Sequence, residues 1–95
     1  MADTIWGVVI DVLDGDTFDL DVSHISETNE YEYNDVERIR LSGVNAPELD
    51  EPGGQGAKRR LKSQIAGRFV RVDIKARDRY KRLIGEVFVD EIPED

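Results

Sequence analysis

The chain has 95 residues, a formal net charge of −8, one histidine (His24) and no cysteine. That length suits one small domain with a modest core, no disulfide or thiolate metal site can staple it, and a single histidine cannot build a zinc site. No apolar run approaches the roughly 20 residues that cross a bilayer, so no membrane partner is expected.

The opening MADTIWGVVI lacks a basic n-region and a cleavage-type segment, so it does not read as a signal peptide. Location stays open between the cytoplasm and a trimmed secreted form. Thr4 to Val12 reads as a strand, with Ile5, Val8, Val9, Ile10 and Val12 supplying β-branched residues. Asp14-Gly15 is a turn signal between two strands. Thr17 to Val22 alternates with period two, placing Phe18, Leu20 and Val22 on one face and Asp19 and Asp21 on the other. Residues 23–35 are polar and acidic and read as a loop or hairpin excursion, in which Tyr31 and Tyr33 can extend a strand. Glu37 to Leu41 gives the third strand.

Asp50 to Gly56 is a flexible loop by composition. A helix is expected from about Gly54–Gly56 to Ala66. Ala57, Leu61 and Ile65 recur every four residues and face the core, while Lys58, Arg59, Arg60 and Lys62 cover the remaining surface. Gly67 is a helix-ending residue. Arg68 to Ala76 is a strand with Phe69, Val72 and Ile74 directed inward. Asp78 to Arg82 forms a turn, and Leu83 to Val89 a last strand with a break at Gly85. Pro93 ends regular structure. The predicted fold is mainly β with one helix (α+β), in the order β-β-β-α-β-β. It suits a five-stranded OB-type Greek-key barrel spanning residues 1–95 as one domain, although other α+β folds share that order.

The charge is segregated. Residues 1–37 hold eleven carboxylates and no Lys or Arg, whereas residues 38–82 hold all thirteen Lys and Arg and only five acids. A polarised surface of this kind can attract phosphate even on an acidic protein, and bound cations would reduce the remaining repulsion. The bland alternative is a solvated helix face.

Singly, Asp14 and Asp16 read as hairpin acids, Glu48 as a loop acid, Arg40 as a snorkelling strand residue and Arg82 as one surface cation among many. As a set they can converge on one rim of a barrel. Asp, Asn and backbone carbonyl oxygens are hard ligands suited to Ca²⁺, Mg²⁺ or Mn²⁺. Guanidinium forks match phosphate, and a glutamate can take a proton from water. Together these are the elements of phosphodiester hydrolysis.

VLDGDTFDL, RIRLSGVNAPE, GGQGA at the helix start and DRYKR resemble the staphylococcal nuclease family in order and spacing over nearly the whole chain. The resemblance implies a Ca²⁺-dependent hydrolase acting on DNA or RNA and leaving 3′-phosphate products. Flexible or single-stranded substrates and a monomer are expected. The resemblance makes Asp16 a direct metal ligand and Asp14 a water-mediated one. Asn45 stands where the family has a second aspartate ligand, and the Ala46 carbonyl matches the backbone ligand. Arg40 and Arg82 match the phosphate-binding arginines, Glu48 the acid that orients or deprotonates water, and Tyr80 the tyrosine of the nucleotide pocket. Lys81 lies in the same substrate-binding turn, where the family has glycine. Arg38 receives no role.

Three departures carry consequences. Asn45 removes one negative charge from the metal site, which lowers cation affinity by about one or two orders of magnitude. Lys81 is strained by about 1–2 kcal/mol if the backbone there has positive φ. The sequence ends soon after the fifth strand, where the family continues into C-terminal helices, so a minimal or shortened chain of marginal stability is expected. The alternative function is an OB-type module that binds nucleic acid or protein without catalysis.

Overall fold

In the computed structural model, residues 3–92 are described; the predicted stop at Pro93 lies outside them. The elements are β1 (Asp3–Asp14), β2 (Thr17–Ile25), β3 (Val36–Leu41), α1 (Gly54–Ile65), β4 (Phe69–Arg77) and β5 (Leu83–Val89). The strands close into a barrel in the order β1-β2-β3-β5-β4. The β3–β5 seam is parallel and the other pairings are antiparallel. The expected order and OB-type barrel are both present.

Alternation along the strands builds the core. Ile5 and Val9 from β1, Phe18 and Leu20 from β2, Ile39 from β3, Val70, Val72 and Ile74 from β4 and Leu83 from β5 are each no more than 2% exposed. Leu61 and Ile65 of α1 close one end of that core, as their spacing of four predicts. Each such side chain contributes about 1.5–3 kcal/mol of transfer free energy. β1 pairs through one edge with β4 over residues 3–8 and through the other with β2 over residues 5–14, and its register against β2 shifts between Val9 and Asp11. The shift turns Ile10 outward and returns Val12 to the core, bending the strand as barrel closure requires.

Four local expectations change. β2 runs on to Ile25 rather than stopping at Val22, and Tyr31 and Tyr33 lie in irregular chain instead of a strand. The reason is a competing set of partners. The buried Asp3 carboxylate accepts hydrogen bonds from the N–H groups of Glu30 (2.9 Å) and Tyr31 (3.1 Å) and from the Tyr33 hydroxyl (2.6 Å). The Asn29 amide exchanges hydrogen bonds with the Thr4 backbone at 2.8 and 2.9 Å, taking the place of a strand neighbour. In β4 the inward set is Val70, Val72 and Ile74. Phe69 is buried on the opposite face, edge-on to the His24 ring at 5.8 Å, because period two from Val72 reaches Val70 and not Phe69. β5 has no break at Gly85, which pairs with both Ile74 and Leu41; the irregularity falls instead on β4, between Ile74 and Ala76.

Asp3 makes stability acid-sensitive. Burial alone would raise its pKa, but the Tyr33 hydroxyl and the two backbone N–H groups outweigh that and hold it below the ordinary 3.8. Asp78 is likewise lowered: its desolvation is outweighed by hydrogen bonds from the Arg82 and Tyr80 backbones and the Arg82 side chain. A depressed carboxylate stabilises the fold above its unfolded-state pKa, and the contribution disappears as pH falls through the folded value. The urea midpoint is therefore expected to hold from neutral pH down to about 4 and to fall steeply below the ordinary 3.8. Asp3→Asn should flatten that fall; an unchanged profile in the variant would show that Asp3 is not its source.

Candidate active site

The β1–β2 hairpin turns through Asp14-Gly15-Asp16. Asp14 Oδ1 accepts the Asp16 N–H at 3.0 Å, which bends the turn so that both carboxylates sit at the barrel rim. Gly15 is required by close approach. A Cβ there would meet the Cβ atoms of Ala46 and Ala57 at 2.6 Å each, so the turn is packed against both the loop after β3 and α1. Asp16 is 7% exposed. Its Oδ1 accepts the Thr17 hydroxyl at 2.9 Å, and its Oδ2 accepts the Ala46 N–H at 3.1 Å and lies 3.6 Å from Arg40 Nη2.

The two carboxylates are pushed apart in acidity. For Asp16, burial is outweighed by hydrogen bonds at Asp14, Thr17 and Ala46 and by the Arg40 charge, so its pKa is lowered. For Asp14, burial and the adjacent Asp16 charge prevail, and its pKa is raised.

Glu48 is placed by the next segment. Its N–H donates to Glu51 Oε1 and its carbonyl accepts the Glu51 N–H, both at 2.9 Å. α1 begins hard against this turn: a Cβ on Gly54 would collide with the Glu48 carbonyl, so only glycine permits the approach.

Arg82 is placed by Asp78. One oxygen of Asp78 accepts the backbone N–H groups of Tyr80 and Arg82, each at 2.9 Å, and the other accepts Arg82 Nε at 2.8 Å. The Tyr80 ring lies 5.4 Å from the Arg82 guanidinium and 5.2 Å from that of Arg79, within cation–π range.

The predicted residues thus gather in two neighbouring groups. Asp14, Asp16, Ala46 and Arg40 touch around the hairpin. Glu48, Tyr80 and Arg82 line one open cleft of about 410 Å³. Strand β3 joins the groups, because Arg38 and Arg40 are two residues apart and share a face. Asn45 is exposed in the loop whose next residue, Ala46, is tied to Asp16. Lys81 is exposed at the turn tip with φ 66, the conformation that favours glycine. Lys81→Gly should relieve the strain at some cost in chain entropy, a net gain of about 0.5–1 kcal/mol. A urea melt reads this directly, and a destabilised variant would refute the strain.

Sequence reasoning passed over Arg38, which lines the same cleft and donates to both Asp19 oxygens at 2.9 and 3.3 Å. Its position on the Arg40 face was the available signal. It also gave Asp78 no role, although a carboxylate four residues before Arg82 can hold that arginine's Nε.

Among the described residues, no three His, Cys, Asp or Glu side chains gather as a metal site. Asp14 and Asp16, with the Asn45 amide and the Ala46 carbonyl on the adjoining loop, are hard oxygen donors of the kind that bind Ca²⁺ or Mg²⁺.

A closed five-stranded barrel with one helix after its third strand is an OB-type barrel, and that is the class of protein the fold defines. The chain belongs to the staphylococcal nuclease homologue family, whose profile matches residues 38–94. It is 37% identical over 84 residues to a protein named "Uncharacterized endonuclease" from Escherichia coli O157:H7, covering 88% of this chain and 48% of the relative. It is 34% identical over 82 residues to a protein named micrococcal nuclease from Shigella flexneri, covering 86% and 41%. Over 53 residues it is 40% identical to a probable staphylococcal-like nuclease from Oryza sativa subsp. japonica, covering 56% and 16%. The chain spans about half the length, or less, of these relatives.

Proposed function

We propose that the protein is a divalent-cation-dependent nuclease that hydrolyses phosphodiester bonds of flexible or single-stranded DNA or RNA. The observation that carries this reading is the meeting of Asp16, Arg40 and the Ala46 loop beside a cleft lined by Glu48 and Arg82. The nuclease names of its relatives support it.

Asp16, Asp14, Asn45 and the Ala46 carbonyl would hold the ion, Ca²⁺ by the family resemblance. When bound, such an ion supplies positive charge to the phosphate and acidity to a coordinated water. Arg40 and Arg82 donate to the phosphoryl oxygens, where charge gathers in the transition state. Glu48 accepts the proton of the attacking water through its carboxylate. Tyr80 flanks the nucleoside attached to that phosphate. The water oxygen bonds to phosphorus as the bond from phosphorus to the leaving oxygen breaks. Denatured DNA and RNA should be cut in the presence of Ca²⁺ and spared after chelation. A folded sample that cuts neither with any divalent ion removes this reading.

A second reading has one observation of its own. Asn45 leaves the site with two carboxylates, and one of them, Asp16, already faces Arg40. That arrangement also suits a barrel that binds nucleic acid or protein without cutting. Salt-sensitive binding of oligonucleotides without cleavage is its signature.

A further inference from the structure

We propose that the cleft of Glu48, Tyr80 and Arg82 is the first of three connected nucleotide positions. A single-stranded oligonucleotide runs from it past Arg38 and Lys81 to a base-stacking platform made by Tyr31 and Arg77. The inference rests on the nuclease reading for what happens at the first position only.

The three clefts share walls. The first, about 410 Å³, has Arg38 and Tyr80 in common with a second of about 350 Å³. The second has Arg77 in common with a third of about 390 Å³, which Tyr31 and Tyr33 also line. Each is large enough for one small organic group. The path crosses from the β4–β5 turn over β2 and β3, the surface on which OB-type barrels take up oligonucleotides.

Chemistry alternates along it. Tyr80 and Tyr31, at opposite ends, are 66% and 59% exposed, and their rings offer faces on which bases stack irrespective of sequence. Between them lie Arg38 and Lys81. Lys81 forms no ion pair among the described residues and, with φ 66, lines the second cleft from the tip of the turn. The left-handed conformation belongs to the turn, which closes through the Lys81 N–H to the Asp78 carbonyl at 3.0 Å and the Asp78 N–H to the Arg82 carbonyl at 2.9 Å and leaves Lys81 exposed beside the second cleft.

Arg77 has a different part. Its Nη1 donates to Glu37 Oε1 at 3.2 Å and to the Lys81 carbonyl at 2.9 Å, and its Nη2 donates to Glu37 Oε2 at 3.1 Å. Glu37 is 3% exposed, so the pair is locked and its charge is balanced. A guanidinium held in this way is a poor phosphate ligand and a good flat surface for a base. Glu32 lines the same cleft and repels phosphate, which reinforces the assignment of a base there and of a phosphate to Lys81; Arg38, whose Nε and Nη2 are engaged by Asp19, flanks the path.

The test is fluorescence anisotropy with labelled oligothymidylates in chelator, comparing a dinucleotide with a strand several nucleotides long, alongside cleavage of the same strands with Ca²⁺. The wild-type protein should bind the long strand more tightly. Tyr31→Ala should cut that long-over-short advantage about tenfold, the worth of one stacked base. Tyr31 is exposed, and its tie to Asp3 is through the backbone, so the variant keeps its loop. Lys81→Gly should reduce the salt slope of long-strand binding by about 0.7. A length advantage that Tyr31→Ala leaves intact overturns the path, while cleavage would still uphold the nuclease. A wild-type protein that binds both lengths equally overturns it as well. A length advantage that Tyr31→Ala reduces, without cleavage under any divalent ion, keeps the path and removes the nuclease reading.

Discussion

Arg82→Ala is expected to lower kcat by about 10²–10³-fold while leaving the fold intact. Loss of one preorganised donor to a charge that develops in the transition state has this size in other hydrolases. The fold should survive because Asp78 keeps its hydrogen bonds from the Tyr80 and Arg82 backbone N–H groups, so the turn retains its main ties. Arg82→Lys should recover little of the loss. An ammonium lacks the guanidinium fork, and it cannot engage Asp78 and a phosphate in one plane. Arg40→Ala should show a comparable fall in kcat with an opposite effect on cation binding. Its Nη2 lies 3.6 Å from Asp16 Oδ2, so its removal takes a competing positive charge away from the carboxylate. Single-turnover kinetics with isothermal titration of Ca²⁺ separates the two effects. If Arg82→Ala cuts at the wild-type rate, the phosphate is held elsewhere.

Asn45→Asp is expected to tighten cation binding by about ten- to a hundredfold, since ligand charge tunes calcium affinity over decades. The new carboxylate would join the loop that Ala46 ties to Asp16, bringing a third negative charge to a site that already sets Asp14 against Asp16. Without metal the extra charge should lower stability; with saturating Ca²⁺ the variant should melt higher than the wild type, because an ion that binds only the folded state stabilises it. Thermal melts with and without Ca²⁺ read both arms. Equal calcium affinity in the variant and the wild type would place the cation away from residue 45, and would favour the binding-module reading.

The barrel was largely legible in the chain because its signals are local. Phe18, Leu20 and Ile39 declare the interior by alternation, and Leu61 and Ile65 declare the helix face by their spacing. Where local reading failed, a distant partner had intervened. The acidic segment around Tyr31 is irregular because Asp3, 28 residues away, accepts its backbone donors. Phe69 leaves the core because barrel closure fixes the phase of β4 from both sides.

The candidate site divides along the same line. The residue types were plain in DGDT, RIRLSGVNAPE and DRYKR, because carboxylates at a turn and arginines at fixed spacing are properties of the chain itself. The sequence by itself determined the succession of strands and helix along the chain, the helix face and the chemical inventory of the rim, while the order of strands in the barrel, with its parallel β3–β5 seam, came from the tertiary structure. Only the tertiary structure decided that Asp16 faces Arg40, that Arg38 joins Glu48 and Arg82 in one cleft, and that Asp78 holds Arg82 in place. The physical reason is that alternation and turn chemistry act over a few residues, whereas a site on a closed barrel is assembled by strand register between segments far apart in the chain.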